Sequence, residues 1–159
     1  MLTLTSTVVV CSAEDSRDQV HSVDQIVKEK NGQMIRNLKA GHTVIRADRM
    51  HLTNVFFNLL DNALKYNRNI PLIEVSTFNH QDKVVVSIKD NGIGIEKKNV
   101  RKIFDRFFRV HTGDVHDVKG FGLGLYYVKK VIADHHGRIN VTSEENTGTT
   151  FAITFPLVS

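Results

Sequence analysis

The sequence predicts an α+β fold, a two-layer sandwich in which helices pack on one face of a mixed, mostly antiparallel sheet. Three observations predict it. Two stretches, 51–66 and 122–136, carry apolar residues at helical spacing. Two pairs of strand-like runs, 72–79 with 83–89 and 138–144 with 149–156, are separated by short polar turns that suit hairpins. Helices also interleave with hairpins along the chain, the order expected of an antiparallel sheet covered on one side.

The elements follow in order. Residues 2–10 alternate in strand fashion, and 14–30 are polar with a weak helical stripe. Two short strands, 32–38 and 43–47, are expected to be joined by a Lys-Ala-Gly-His turn. Asp48 stands where an N-cap is needed for the strongest helix, which runs to about Tyr66. On that helix Leu52, Val55, Phe56, Leu59, Leu60 and Ala63 make one apolar stripe, the core face. Asn67 to Pro71 ends it, and a hairpin follows over His-Gln-Asp-Lys. A short helix is expected at 97–104, whereas 109–119 offers little to bury. The second long helix, from about Gly122 to His136, is stopped by Gly137.

Composition narrows the class. The 159 residues suit one domain, 41% of them are hydrophobic, and the formal charge of +4 is compatible with an anionic ligand. No Lys/Arg block with interleaved aromatics appears, so nucleic acid is not an expected partner. Cys11 is the single cysteine, which excludes an internal disulfide framework, and no Cys/His cluster has zinc spacing. No run is long enough to cross a bilayer, so no direct membrane contact is expected and a reducing, cytoplasmic setting fits.

Three features ask for a chemical reason. Asn58, Asn62 and Lys65 fall at i, i+4, i+7 on a second face of the long helix, with Tyr66 beside them. Asn is a poor helix former, so two of them one turn apart carry a local cost. Either this is a solvated face, or the amide oxygens address a hard cation and Lys65 a phosphate. "DNGIGI" (90–95) ends a strand in a carboxylate followed by Gly92 and Gly94, yet no partner strand follows at once. "KGFGLGL" (119–125) sets Gly120, Gly122 and Gly124 where a helix begins and unpaired N–H groups attract phosphate. Neither the P-loop nor the dinucleotide fingerprint is present.

Together these residues resemble the catalytic and ATP-binding domain of bacterial sensor histidine kinases, within the superfamily that includes type II topoisomerase and mismatch-repair ATPase domains. "HLTNVFFNLLDNALKYN" (51–67) looks like the N box, and "DNGIGI" like the first glycine box. "IFDRFFRV" (103–110) looks like the F box, "GFGLGL" (120–125) like the second glycine box, and "GTTF" (148–151) like the last glycine motif. The motifs occur in family order and span 48–156. Residues 1–47 match weakly, and 1–159 is read as one domain without a phosphoacceptor or dimerisation domain.

The resemblance implies the Bergerat ATP-binding fold, ATP and Mg²⁺ as cofactors, and a role for each matched residue. Asp90 accepts from the adenine amino group, Gly92 and Gly94 leave room for the base, and Ile95 belongs to the same box. Tyr66 lies against the ring. Asn62 coordinates the metal, Asn58 assists there, and Lys65 contacts phosphate. Gly120, Gly122, Leu123 and Gly124 close on the phosphates at the end of a lid spanning 109–119. Arg109 reaches the γ-phosphate. Thr149 is counted among the nucleotide-binding candidates, although it and Thr150 are expected to pair in the terminal hairpin before they touch ligand. Phe104, Phe107 and Phe108 are expected to pack under the lid.

The same comparison bears on catalysis. ATPase members carry a Glu where Asn58 stands, and an amide cannot take a proton from water at neutral pH. Transfer to a protein histidine is therefore expected, on a phosphoacceptor/dimerisation domain and from there to a response regulator. None of the eight histidines has the phosphoacceptor pattern, an acidic neighbour with Pro beyond it. The chain alone is expected to be a monomer. A non-catalytic nucleotide-binding module and a topoisomerase-type ATPase are the competing readings.

Overall fold

A computed structural model describes the backbone of residues 7–9 and 17–22 and all atoms of 23–110 and 121–158. Cys11, Lys119, Gly120 and most of the expected lid at 109–119 lie outside these residues. Seven strands and three helices are described: β1 (Thr7–Val9), α1 (Arg17–Glu29), β2 (Gln33–Leu38), β3 (Val44–Arg46), α2 (Arg49–Lys65), β4 (Leu72–His80), β5 (Lys83–Asp90), α3 (Gly124–Asp134), β6 (Arg138–Glu144) and β7 (Gly148–Pro156). The main sheet has the order β2-β4-β5-β7-β6. Only β2 and β4 run parallel; β4–β5, β5–β7 and β6–β7 are antiparallel. The expected mixed, mostly antiparallel sandwich is the fold observed.

Alternation decides which face is covered. Val84, Val86, Ile88 and Asp90 point to one side of β5, and their cross-strand partners Phe155, Ile153 and Phe151 on β7 point the same way. This face carries the core. Ile73, Val84, Ile153 and Phe155 pack with Val55 and Leu59 of α2, Val128 and Ile132 of α3, and Val23 and Val27 of α1. Phe104 closes one end of the core, edge-on to Phe151 with ring centroids 6.4 Å apart. The other face carries Ser76, Phe78, Val85, Ser87, Thr150, Ala152 and Thr154, none of them buried.

α2 begins where the sequence places it. The Asp48 carboxylate accepts the His51 N–H at 2.9 Å, satisfying a first-turn donor. That hydrogen bond also holds the Asp48 carboxyl below its usual range. The Asp48 N–H in turn donates to His135 Nε2 at 2.9 Å, so the start of α2 is tied to the end of α3.

Two expectations are corrected. Strands 32–38 and 43–47 do not form a pair. β2 joins β4 in the main sheet, whereas β3 pairs with β1 in a separate two-stranded ribbon. The Lys-Ala-Gly-His segment is instead anchored to β4: the His42 N–H donates to Asn79 Oδ1 at 3.0 Å, and Asn79 Nδ2 donates to His42 O at 2.7 Å. Residues 97–104 are a run of turns and not a helix, short local hydrogen bonds taking the place of a ladder. Phe107 is 70% exposed, with φ at 61°; the lid it is expected to pack under lies mostly outside the described residues. No helix among the described residues is long and apolar enough to cross a membrane.

Candidate functional site

A cavity of about 260 Å³ opens between the carboxyl end of α2, the end of β5 and the start of α3. That volume lies just below the range of small-molecule sites, about 300–1,000 Å³. α2 contributes Asn58, Asp61, Asn62, Lys65 and the capping Tyr66. These are the polar face of the helix, turned a third of a revolution from the stripe that fills the core. The solvated-face reading fails here, because this face lines a concavity.

Asp90 stands at the floor. Its Oδ1 accepts the Gly92 N–H at 2.8 Å and the Thr149 N–H at 3.3 Å. Its Oδ2 has no partner among the described residues. Burial pushes the carboxyl above its ordinary 3.8, and the two backbone donors offset that in part. The result is a fixed acceptor aimed at a ligand donor. Gly92 is not part of the wall. It supports Asp90 through its amide, and its Cα lies so close to Tyr66 that a Cβ would stand 2.5 Å from that carbonyl. The Ile93 N–H donates to Tyr66 O at 2.9 Å, so the end of α2 and the loop after β5 are one unit.

Asn91 fastens the remainder of that loop. Its Oδ1 accepts from Asn67 Nδ2 at 2.7 Å and from the Leu72 N–H at 2.8 Å. Its Nδ2 donates to Ile70 O at 3.0 Å. Three of the four hydrogen-bonding positions of the amide are used on the segment that follows α2.

Two glycines have no substitute. Gly94 lies at φ 68°, and a Cβ there would stand 1.9 Å from Glu144 O. Gly122 lies at φ 72°, and a Cβ there would stand 2.8 Å from the Phe107 carbonyl carbon. Both line the cavity, yet what they spare is contact between backbone segments.

At the far side α3 opens onto the cavity. Its N-cap residue, Leu123, gives no side-chain cap, and no acidic residue stands in its first turn. The first N–H groups are therefore left for a ligand or water. Asn58 Nδ2 donates to Asn54 O at 2.7 Å, which turns Oδ1 toward the start of α3; a Cβ on Gly124 would stand 2.8 Å from it. Lys65 pairs with Asp61 at 2.5 Å on the cavity rim. Arg109 lines the opening. Arg106 is held elsewhere, its guanidinium donating to Tyr126 Oη at 2.9 Å and lying 4.5 Å from the ring centre.

Residues 47–159 match the family described as Histidine kinase-, DNA gyrase B-, and HSP90-like ATPase. The chain belongs to this family. It is 55% identical over 134 residues to the sensor protein RprX of Bacteroides fragilis, covering 83% of this chain and 26% of that one. The chain thus spans about a quarter of the length of that relative. Its fold matches the catalytic domain of the histidine kinase ThkA, with a TM-score of 0.75, 24% identity, and 96% and 95% of the two chains covered. It likewise matches full-length ShkA in complex with AMPPNP, with a TM-score of 0.81, 22% identity, and 98% and 32% covered.

In this ATPase-family domain the structure brings together nearly all the residues expected from sequence. Asn58, Asn62, Lys65, Tyr66, Asp90, Gly94, Ile95, Arg109, Gly122, Leu123, Gly124 and Thr149 all line the one cavity. Gly92 supports it from behind, and Gly120 lies outside the described residues. Sequence reasoning missed Asp61, Ile93, Ile103, Val110, Phe121, Leu125 and Phe151 on the wall. Asp61 had a signal, its i, i+4 spacing to Lys65. Ile103 and Phe151 belong to the core, and the cavity reaches down to them.

Proposed function

We propose that the chain is the ATP-binding catalytic domain of a sensor histidine kinase. It binds Mg·ATP and passes the γ-phosphoryl group to a histidine on a separate phosphoacceptor domain. The observation that carries this reading is the shared cavity: Asn62 and Asp90, on different elements, face one space that also takes in the start of α3. The AMPPNP complex of ShkA supports the choice of nucleotide.

In this reading Asp90 Oδ2 accepts from the adenine amino group. Tyr66 and Ile93 flank the base. The open N–H groups at Leu123 to Leu125 receive phosphate oxygens, and Lys65 leaves Asp61 to join them. Arg109 stabilises charge on the transferring group.

The donor set fits Mg²⁺. Among the described residues no three His, Cys, Asp or Glu side chains converge, so an all-protein cage is absent there. Mg²⁺ needs none, since it takes one or two protein oxygens, phosphate and water. Asn62 would hold it, with Asn58 beside it, and bound Mg²⁺ would neutralise phosphate charge.

The bond from the γ-phosphorus to the β,γ-bridging oxygen breaks, a phosphorus–nitrogen bond to imidazole forms, ADP leaves and the imidazole loses its proton. Asn58 offers no base for water, since a carboxamide takes up no proton at neutral pH. Hydrolysis is therefore slow. The partners are the phosphoacceptor/dimerisation domain and, through it, a response regulator; the setting is cytoplasmic.

The test is to mix the chain with its cognate histidine phosphoacceptor domain, on the same or a separate protein, and γ-labelled ATP. Acid-labile, base-stable label on that domain is expected. Nucleotide binding without any label transfer would contradict the kinase reading and favour a regulatory module.

A further inference from the structure

We propose that Ser143 is a positioning residue that sets base specificity by turning the lone pairs of the Thr149 hydroxyl, and not its proton, toward the cavity. The inference deepens the nucleotide reading above and rests on it.

Ser143 on β6 lies behind the wall, across the strand pair from Thr149. Its hydroxyl has three neighbours. The Ile95 N–H reaches Oγ at 2.9 Å, Gly148 O lies at 2.9 Å, and Thr149 Oγ1 at 2.8 Å. A hydroxyl has one proton and two lone pairs. The Ile95 N–H can only donate, so it takes one lone pair. The Gly148 carbonyl can only accept, so it takes the proton. What remains for Thr149 is a lone pair, and Thr149 must donate. Its single proton is then spent on Ser143, behind the wall.

Thr149 is 7% exposed, lines the cavity, and gives its backbone N–H to Asp90. With its proton turned away its hydroxyl offers only lone pairs, on the same residue whose N–H anchors Asp90. The floor lined by Asp90 and Thr149 then presents acceptors from both side chains. A 6-aminopurine brings a donor to them, whereas a 6-oxopurine brings an acceptor against both. Ser143 also holds the Ile95 amide, so the same hydroxyl fixes the glycine loop and the polarity of the floor.

The experiment measures ADP and IDP dissociation constants by calorimetry. In Ser143→Ala the Thr149 proton is released and can meet the 6-oxo group. The ratio Kd(IDP)/Kd(ADP) is expected to fall about threefold to tenfold, the range of one neutral hydrogen bond. Ser143→Thr keeps the hydroxyl and is expected to keep the ratio. In a Thr149→Val background, Ser143→Ala is expected to leave the ratio unmoved, because no hydroxyl remains to turn. A purely structural Ser143 would weaken both nucleotides by one factor, and an unchanged ratio in Ser143→Ala overturns the proposal. So does the same fall in the Thr149→Val background. Should Ser143→Ala not fold, neutron diffraction on the deuterated wild-type protein decides. A deuteron between Thr149 Oγ1 and Ser143 Oγ supports the proposal, and one directed into the cavity overturns it. If wild type binds ADP and Asp90→Asn abolishes binding while the ratio ignores Ser143, this inference alone fails. If wild type binds neither nucleotide, the nucleotide reading fails with it.

Discussion

Thr149 donates its backbone N–H to Asp90 Oδ1 at 3.3 Å, and this contact joins the ends of β5 and β7 at the floor of the cavity. One carboxylate oxygen is thereby anchored and the other is left for a ligand. The desolvation this entails is a cost in the ligand-free protein, recovered only when a donor arrives.

Asp90→Asn tests that trade. The amide oxygen can still accept from Gly92 and Thr149, but its NH₂ confronts the adenine amino group with a donor. ADP affinity is expected to fall at least about a hundredfold, as expected for a lost charge-assisted bond plus a donor–donor clash. Thermal stability without ligand is expected to stay level or rise at pH 7, since a buried charge has been removed. A clear drop in ligand-free melting temperature would contradict the desolvation argument.

The pH dependence has a definite sign. Burial raises the Asp90 carboxyl above 3.8 in the folded protein. Its contribution to stability is therefore fully present below the unfolded value and is lost as pH rises through the folded value. The stability difference between wild type and Asp90→Asn is expected to be largest at neutral pH and to vanish in acid. ADP affinity moves the other way, weakening as pH falls, with a midpoint above 3.8. Calorimetric titrations from pH 7 downward read both, and affinity independent of pH across that window would contradict the assignment.

Gly94→Ala and Gly122→Ala test the backbone packing around the site. Each puts a side chain at positive φ and against backbone, at 1.9 Å for Gly94 and 2.8 Å for Gly122. A loss of roughly 2–4 kcal/mol is expected at Gly94 from αL strain and overpacking together, and less at Gly122, where the clash is milder. Urea denaturation gives the measurement. Neutral effects at both would show that these segments can separate freely.

Asn62→Ala addresses the metal. ATP affinity measured with Mg²⁺ is expected to drop to near the value measured in EDTA, while affinity in EDTA changes little. An equal fall with and without Mg²⁺ would place Asn62 on the nucleotide and not on the ion.

Much of this was legible in the sequence, and the reason is local. The Asp48 cap, the α2 stripe and the β4–β5 and β6–β7 hairpins each state their signal within a few residues. The two faces of α2 could be separated by helical spacing alone. Asp90 was readable as well, because a strand that ends in Asp-Asn-Gly without a following partner strand asks for another explanation. The parallel β2–β4 pairing was not readable. α2 lies between the two strands, and the nearby Lys-Ala-Gly-His segment imitates a hairpin turn. The Ser143–Thr149–Ile95 junction was also invisible, since it joins three segments and its meaning lies in counting one proton. The glycines were recognised, but the close approach of Gly94 to the Glu144 backbone, where a Cβ would stand 1.9 Å from the carbonyl oxygen, was not readable.

The most direct measurement is a crystal structure of the domain with Mg²⁺ and AMPPNP. The adenine amino group is expected within hydrogen-bond distance of Asp90 Oδ2, with the phosphates at the start of α3 and the metal on Asn62. Nucleotide bound away from this cavity, or bound in it with the base turned from Asp90, would contradict this assignment.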